Sequence, residues 1–324
     1  MHCELVVPGL LGAAAQVRLP AAELVFARGR AGADDLLPLE RWLAARFGLD
    51  EDGAVAAGAL TLLAHGRPAE GRWARADPVH LHLLRDRMVL VPGRGLSIEM
   101  REAQDLCATL NAHFAGRLAF DPVEPARWCV RVDGAAAASG VSPEEKAGTT
   151  VEPQGAADVL ANEIQMALHE HAVNQAREAR GEPALNGVWL WGAGALPAGV
   201  KGPWHSVSSD DPLARGLAQA AGIRSRPLPA SATALLERAP EDGRHLVVLD
   251  ALRLPLALGD GEATARQLAA LEAGWFSPLL DALRDGRIGM LSLHVPDAGR
   301  SVEATRGDLR RFWRRPGPLA RRAA

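Results

Sequence analysis

The chain predicts an α/β fold, a mostly parallel sheet with helices on both faces and a smaller inserted α+β lobe. In the second half, helical and strand patterns alternate, as they do when a parallel sheet is covered on both sides. Near Arg72 the pattern changes to a run of strands around one helix. An Ala/Gly/Ser/Pro stretch from Gly134 to Pro153 closes that run. The expected division is therefore a core of residues 1–71 and 152–324 and an inserted lobe of residues 72–151. The 324 residues suffice for such a core with an insertion.

In chain order, Leu5 to Pro8 reads as a short buried strand ending at Pro8-Gly9. Leu36, Leu39, Leu43 and Phe47 recur at helical spacing, and Ala56 to Ala64 reads as a second, short helix. Trp73 to Leu81 and Arg87 to Val91 read as strands, and Ser97 to Phe114 as a helix with its cap region at Ser97 to Met100. Leu118 to Phe120 and Trp128 to Val132 alternate as strands do. After the small-residue stretch come a helix over Ala157–Arg180 and a strand over Gly187–Trp191. Helices follow at 212–221 and 230–238, a strand at 245–250, a helix at 262–284 and a strand at 288–295.

Composition bounds the function classes. A net charge of −3 and a pI near 6.4 argue against a nucleic-acid binder that works through overall charge. No stretch reaches the ~20 apolar residues of a membrane span. The start, Met1-His2-Cys3-Glu4, lacks the basic opening of a signal peptide. Cys3, Cys107 and Cys129 are odd in number, far apart and not in CxxC spacing, so a reducing cytoplasm is the expected setting.

The densest signal runs from Asn162 to Gly194. His171, Asn174 and Arg177 follow at spacing three. After Gly181-Glu182-Pro183 come Asn186, the strand Val188-Trp189-Leu190-Trp191 and a Gly192-Ala193-Gly194 turn. At 100° per residue, His171 lies within about 20° of Leu160, on the apolar face shared by Ile164 and Leu168. Polar groups on such a face need partners, because an unsatisfied buried group costs roughly 1–3 kcal/mol. They either pin the helix to its strand or meet a ligand. The run HxVNxxRxxxGxPxxNxxxLWGxG resembles the signature of the archaeal-type cofactor-independent phosphoglycerate mutases of the alkaline phosphatase superfamily. More closely still, it resembles the RpfE-type bacterial regulatory proteins, which end in a similar Phe312-Trp313-Arg314-Arg315-Pro316 tail. The common His-Pro-Val-Asn has Ala172 in place of the proline, which suits a continuous helix.

The resemblance implies an alkaline-phosphatase-like core with an inserted lobe, whose Arg-rich strand and Glu-Ala-Leu helix match Trp73–Leu90 and Glu102, Ala103 and Leu106. It also implies two divalent metals and a Ser or Thr nucleophile, because the metals activate that hydroxyl and hold phosphoryl oxygens. Here the ligand positions depart from the pattern. Pro8 stands where the first Asp belongs, and the first hydroxyls in the chain are Thr61 and Ser97. Pro255 and Gly259 stand where later ligands belong, and the final Asp-His pair becomes His294-Val295-Pro296-Asp297. The expectation is a catalytically degenerate phosphoglycerate mutase-like protein, a metabolite-binding or regulatory module without catalytic residues, metal or cofactor. The alternative is an active mutase or phosphohydrolase with a rearranged site. The expected ligand is a small phosphorylated or carboxylated metabolite, met by Arg75, Asp77, His80, Asn162, His171, Asn174, Arg177, Asn186 and Trp191. Neither a membrane nor nucleic acid is an expected partner, and no protein partner is identified.

Other motifs have plainer readings. His80 and His82 share a strand face but lack a third ligand. His169 and His171 point about 200° apart on a continuous helix. Asp210-Asp211-Pro212 caps the following helix. Phe312 and Trp313, among the seven arginines of Arg306–Arg322, are expected to dock on the core with the arginines solvated.

Overall fold

The structure, a computed structural model, describes residues 1–14, 17–49, 55–84, 87–132, 140–151, 156–238 and 242–322. The first segment holds β1 (His2–Val6), α1 (Leu10–Ala13), α2 (Pro20–Arg28), β2 (Arg30–Ala33) and α3 (Leu39–Arg46). The middle holds α4 (Ala57–Ala64), β3 (Trp73–Leu84), β4 (Arg87–Pro92), α5 (Met100–His113), β5 (Ala119–Glu124) and β6 (Arg127–Arg131). It continues with α6 (Pro143–Lys146), β7 (Thr150–Val151), α7 (Ala156–His169), α8 (Ala172–Ala179) and β8 (Gly187–Gly194). The last holds β9 (Ser206–Ser208), α9 (Pro212–Ala220), β10 (Arg224–Arg226), α10 (Ala232–Arg238) and β11 (Arg244–Val248). Then come α11 (Arg253–Ala257), α12 (Gly261–Leu271), α13 (Ser277–Asp285), β12 (Met290–Val295) and β13 (Arg300–Thr305).

The chain folds as two compact units, Met1–Glu51 with Val200–Ala324, and Asp52–Gly199. The boundaries differ from the expected 72 and 151. Helix α4 packs on β3 and β8, and β8 pairs with β3, so both flanks of the insertion belong to it. Of the stretch expected as a linker, residues 134–139 and 152–153 lie outside the described residues. Its described part holds α6, capped by Ser142, and β7, which pairs with β4.

The first unit carries a seven-stranded sheet in the order β10-β9-β11-β1-β12-β13-β2. Its first five strands are parallel, and β13 and β2 add an antiparallel edge. Strands covered on both faces read as continuous apolar runs, and Leu5, Val6, Leu246, Val247, Leu291 and Leu293 are all buried accordingly. The helix expected over 262–284 is α12 and α13 joined by a π turn at Glu272–Phe276. The wider turn lets adjacent Trp275 and Phe276 both reach the core. The β2–β13 edge was not expected, since Arg30-Ala-Gly-Ala lacks apolar alternation.

The second unit carries a six-stranded sheet, β5-β6-β3-β4-β7 with β8 beside β3; β8 thus lies in an antiparallel sheet rather than in the parallel one. The helix expected over 157–180 breaks at Glu170-His171 into α7 and α8. His171 is the N-cap of α8, its Nδ1 accepting the Val173 N–H at 3.1 Å. Ala172 therefore occupies N1, the one helical position where proline is favoured. The break needs no proline, because the histidine cap supplies it.

The tail also departs from expectation. Phe312 and Trp313 are 76% and 66% exposed. The arginines do the pinning instead, Arg311 and Arg314 donating to the carbonyls of Arg28 and Gly29 at 3.1 and 3.2 Å. Buried Leu309 and Leu319 anchor the loop at either end. Among the described residues no helix is long and apolar enough to cross a membrane.

Candidate functional site

The signature residues of the second unit are gathered along α8 and the β3–β8 pair. Asn174 is 1% exposed and makes three bonds. Its Nδ2 donates to the carbonyls of Leu168 and Leu185 at 2.9 and 3.1 Å, and its Oδ1 accepts the Leu185 N–H at 2.8 Å. One carboxamide thus ties the end of α7 to the approach of β8. Arg177, wholly buried, donates from Nε to the Pro183 carbonyl at 2.9 Å. Its Nη1 donates to the Ser97 carbonyl at 3.1 Å and to Glu102 Oε2 at 2.8 Å. Glu102 also closes the N-terminal capping box of α5 and receives Arg180, so this cluster joins α5 to α8. Since His171 Nδ1 accepts, its Nε2 carries the proton that meets Thr109 Oγ1 at 2.9 Å on α5. Asn186 pairs with both backbone groups of Leu81, at 2.7 and 3.0 Å, extending the β3–β8 ladder by one side chain.

Further along the ladder, Arg75 and Trp191 are direct partners. Arg75 Nε and Nη2 donate to Asp77 Oδ1 at 2.9 and 2.6 Å, and Nη1 reaches Thr61 Oγ1 at 3.3 Å. Trp191 Nε1 donates to Asp77 Oδ2 at 2.7 Å while its ring lies 5.4 Å from the guanidinium. All three are closed off from solvent. Burial pushes the Asp77 carboxyl up to about 6; Arg75 opposes that and Glu144 adds to it. Half-buried His80 meets the Ala184 carbonyl at 2.8 Å through Nδ1. Asn162 stands apart, exposed on α7.

In the first unit, polar groups collect where β1 and β12 end, the edge at which open parallel sheets bind ligands. Gly9 has φ +84° and donates its N–H to Asp297 Oδ1 at 2.9 Å. A Cβ there would lie 2.5 Å from Leu256 Cδ1, which could move aside, so it is the positive φ that favours glycine at this turn. His294 Nδ1 donates to Asp34 Oδ2 at 2.6 Å, and its ring lies 5.3 Å from that of Trp42. Arg46 holds the other Asp34 oxygen and covers the Trp42 ring at 5.1 Å. Burial works to raise the Asp34 carboxyl, but the His294 hydrogen bond and the His294 and Arg46 charges outweigh it and hold the group below the usual aspartate value. In the same unit, Arg253 Nη2 donates to both Glu40 oxygens, at 2.9 and 3.1 Å. Asp210 and Asp211 accept backbone N–H groups of Leu228 and Leu213. Among the described residues no three His, Cys, Asp or Glu side chains form a metal-binding group. Asp34, Trp42 and Arg46 belong to no motif of the sequence, and the adjacent acids Asp34-Asp35 are the one local signal that could have marked them.

No protein-family model matches this chain, and no curated protein matches it in sequence. Solved structures similar to this chain include the following two. The PH0037 protein from Pyrococcus horikoshii superposes with a TM-score of 0.55 at 14% identity, over 93% of this chain and 86% of that one. A cofactor-independent phosphoglycerate mutase from Thermoplasma acidophilum gives a TM-score of 0.39 at 17% identity, over 95% and 90% of the two chains. The first likeness shows a shared fold across nearly the whole chain.

Proposed function

We propose that this chain is a catalytically degenerate, phosphoglycerate mutase-like protein of RpfE type. In this reading it binds a small phosphorylated or carboxylated metabolite, or regulates through it, without metal-dependent phosphotransfer. The observation that carries the reading is the engagement of the acids at the sheet edge. Asp297 holds the Gly9 N–H, Asp211 caps α9 and Asp34 is shared by His294 and Arg46. Two divalent metals require several uncommitted oxygen and nitrogen donors held to about 0.2 Å. With Pro8, Pro255 and Gly259 at ligand positions of the resembling family, the donor set does not fit such a centre.

The signature side chains serve this reading as framework, since Asn174, Arg177 and the Arg75–Asp77–Trp191 knot spend their donors within the lobe. The groups open to a ligand are His294 and Arg46, whose side chains are 12% and 42% exposed. A partly exposed guanidinium offers the forked donors that phosphate and carboxylate prefer. Metal analysis of the purified chain, with a mutase assay on 3-phosphoglycerate and manganese, tests the reading. The expected result is no stoichiometric metal pair and no turnover, with saturable binding of 3-phosphoglycerate that His294→Gln weakens. Two metals per chain, or turnover abolished by a chelator, would sink it. The Asp34–His294 pair favours one second reading, a phosphohydrolase with a rearranged site, and chelator-insensitive turnover lost in His294→Gln is its mark.

A further inference from the structure

Strand β2 ends the seven-stranded sheet, and all four of its residues are exposed. In an antiparallel ladder an edge strand turns alternate N–H and C=O groups outward, a template that proteins usually cover or blunt. β2 is short and opens with the charged Arg30, but Ala31, Gly32 and Ala33 carry neither a charge nor a proline and stay exposed. The exposed tail loop is fixed beside this strand. Arg311 and Arg314 hold the carbonyls of Arg28 and Gly29, the two residues before β2, and Arg28 in turn donates to the Leu309 carbonyl at 2.6 Å. The loop thereby presents Phe312 and Trp313 edge to face, ring centres 5.3 Å apart. At the other end of β2 stands Leu36, 71% exposed.

Charge selects the occupant. Arg310 and Arg315 flank the aromatic pair in the chain and Arg30 opens β2; all three are exposed. Asp308 is buried, and its carboxylate is taken up by Arg311 at 2.8 Å and faced by Arg30 at 3.7 Å. The far end of the strand carries Asp35 instead. We propose that β2 and the Phe312–Arg315 loop form a docking surface for an extended acidic peptide segment of a partner protein. The segment would add as a strand to β2, with its acidic end at the arginines and an apolar side chain against Trp313. Main-chain pairing gives such strand addition its affinity, and side-chain contacts give it selectivity. An outward row of backbone donors and acceptors is what distinguishes this partner from a nucleic acid, which would use the arginines and rings alone.

The test uses the full chain and a fluorescein-labelled peptide alternating glutamate and valine, followed by fluorescence anisotropy at low salt. Binding is expected for this peptide, and not for its backbone N-methylated form or for a lysine–valine counterpart. Phe312→Ser with Trp313→Ser, and separately Arg310→Glu with Arg315→Glu, should each weaken binding by about tenfold, the usual scale for anchor residues. Thermal midpoints of both variants should stay at the wild-type value. Equal binding of the N-methylated peptide would overturn the proposal, as would no binding or indifference to both pairs of substitutions. So would tighter binding of a single-stranded oligonucleotide at the same residues, or occupation of β2 by a second copy of the chain in sedimentation experiments.

Discussion

Asp34 and Asp77 make a matched pair, one in each unit. Each is a buried acid beside an arginine and a tryptophan, yet the two settings have opposite consequences. Asp77 is enclosed with Arg75 and Trp191, and burial dominates its titration. The Asp34 side chain is as little exposed, but the residue is only half-buried, its partners Arg46 and His294 reach solvent and its carboxyl is held low. A knot with every partner inside the fold strengthens the lobe and has nothing left for a ligand. A cluster that includes a partly exposed guanidinium keeps donors within reach of solvent, and the proposed anion site rests on that difference.

The sharpest way to break this comparison is to remove the arginines. Arg75→Ala leaves Asp77 without its cation, so urea unfolding should show a loss of about 3–5 kcal/mol, the scale for breaking a buried pair. Arg46→Ala, at a half-exposed pair, should cost under about 1 kcal/mol; equal losses would erase the distinction. Next comes Arg177→Ala, expected to lower stability by roughly 3 kcal/mol while leaving 3-phosphoglycerate binding unchanged. Weakened binding with unchanged stability would return Arg177 to the ligand site.

A third prediction concerns pH. The Asp77 value rises from an ordinary 3.8 to about 6 on folding, so the folded chain binds this proton more readily than the unfolded one. Its contribution to stability must therefore grow as pH falls from about 6 toward 3.8. Asp34 has the other sign, contributing stability above the ordinary aspartate value and losing it as pH falls through its depressed folded value. Difference profiles of urea midpoint against pH, wild type minus Asp77→Asn and wild type minus Asp34→Asn, should slope oppositely. Parallel slopes would mean the two acids share one environment. His171→Ala should cost about 1 kcal/mol for a lost helix cap, read by the thermal midpoint.

Much of the architecture could be read from the residues, and the reasons are local. The alternating helices and strands after residue 200 carry their own periodicity, and so does α5. The break between α7 and α8 was hidden because Ala172 gives no sign of a helix start, while the histidine that makes the cap also fits a continuous apolar face. The lobe boundary was misplaced because α4 and β8 resemble core elements until their pairing with β3 is seen. At the site the contrast is greater. His171, Asn174 and Arg177 are conspicuous because they stand at regular spacing, and regular spacing is what a helix-fixing role produces. The Asp34–His294 contact joins residues 260 positions apart, and no periodicity connects them. The tail misled for a related reason, since aromatic side chains suggest a core until the arginines are seen to do the anchoring.

The placement of β1 has a consequence for how the molecule comes into being. It lies between β11 and β12, and its Glu4 binds Arg244, 240 residues further on. At ribosomal rates of about 5–20 residues per second, that partner emerges tens of seconds after the strand itself. Throughout that interval Leu5, Val6 and Val7 have no sheet to enter, whereas Asp52–Gly199 is contiguous and is complete several seconds before Arg244 emerges. Nascent chains should therefore acquire protease resistance in the middle first, and the opening strand should be the segment most dependent on chaperones.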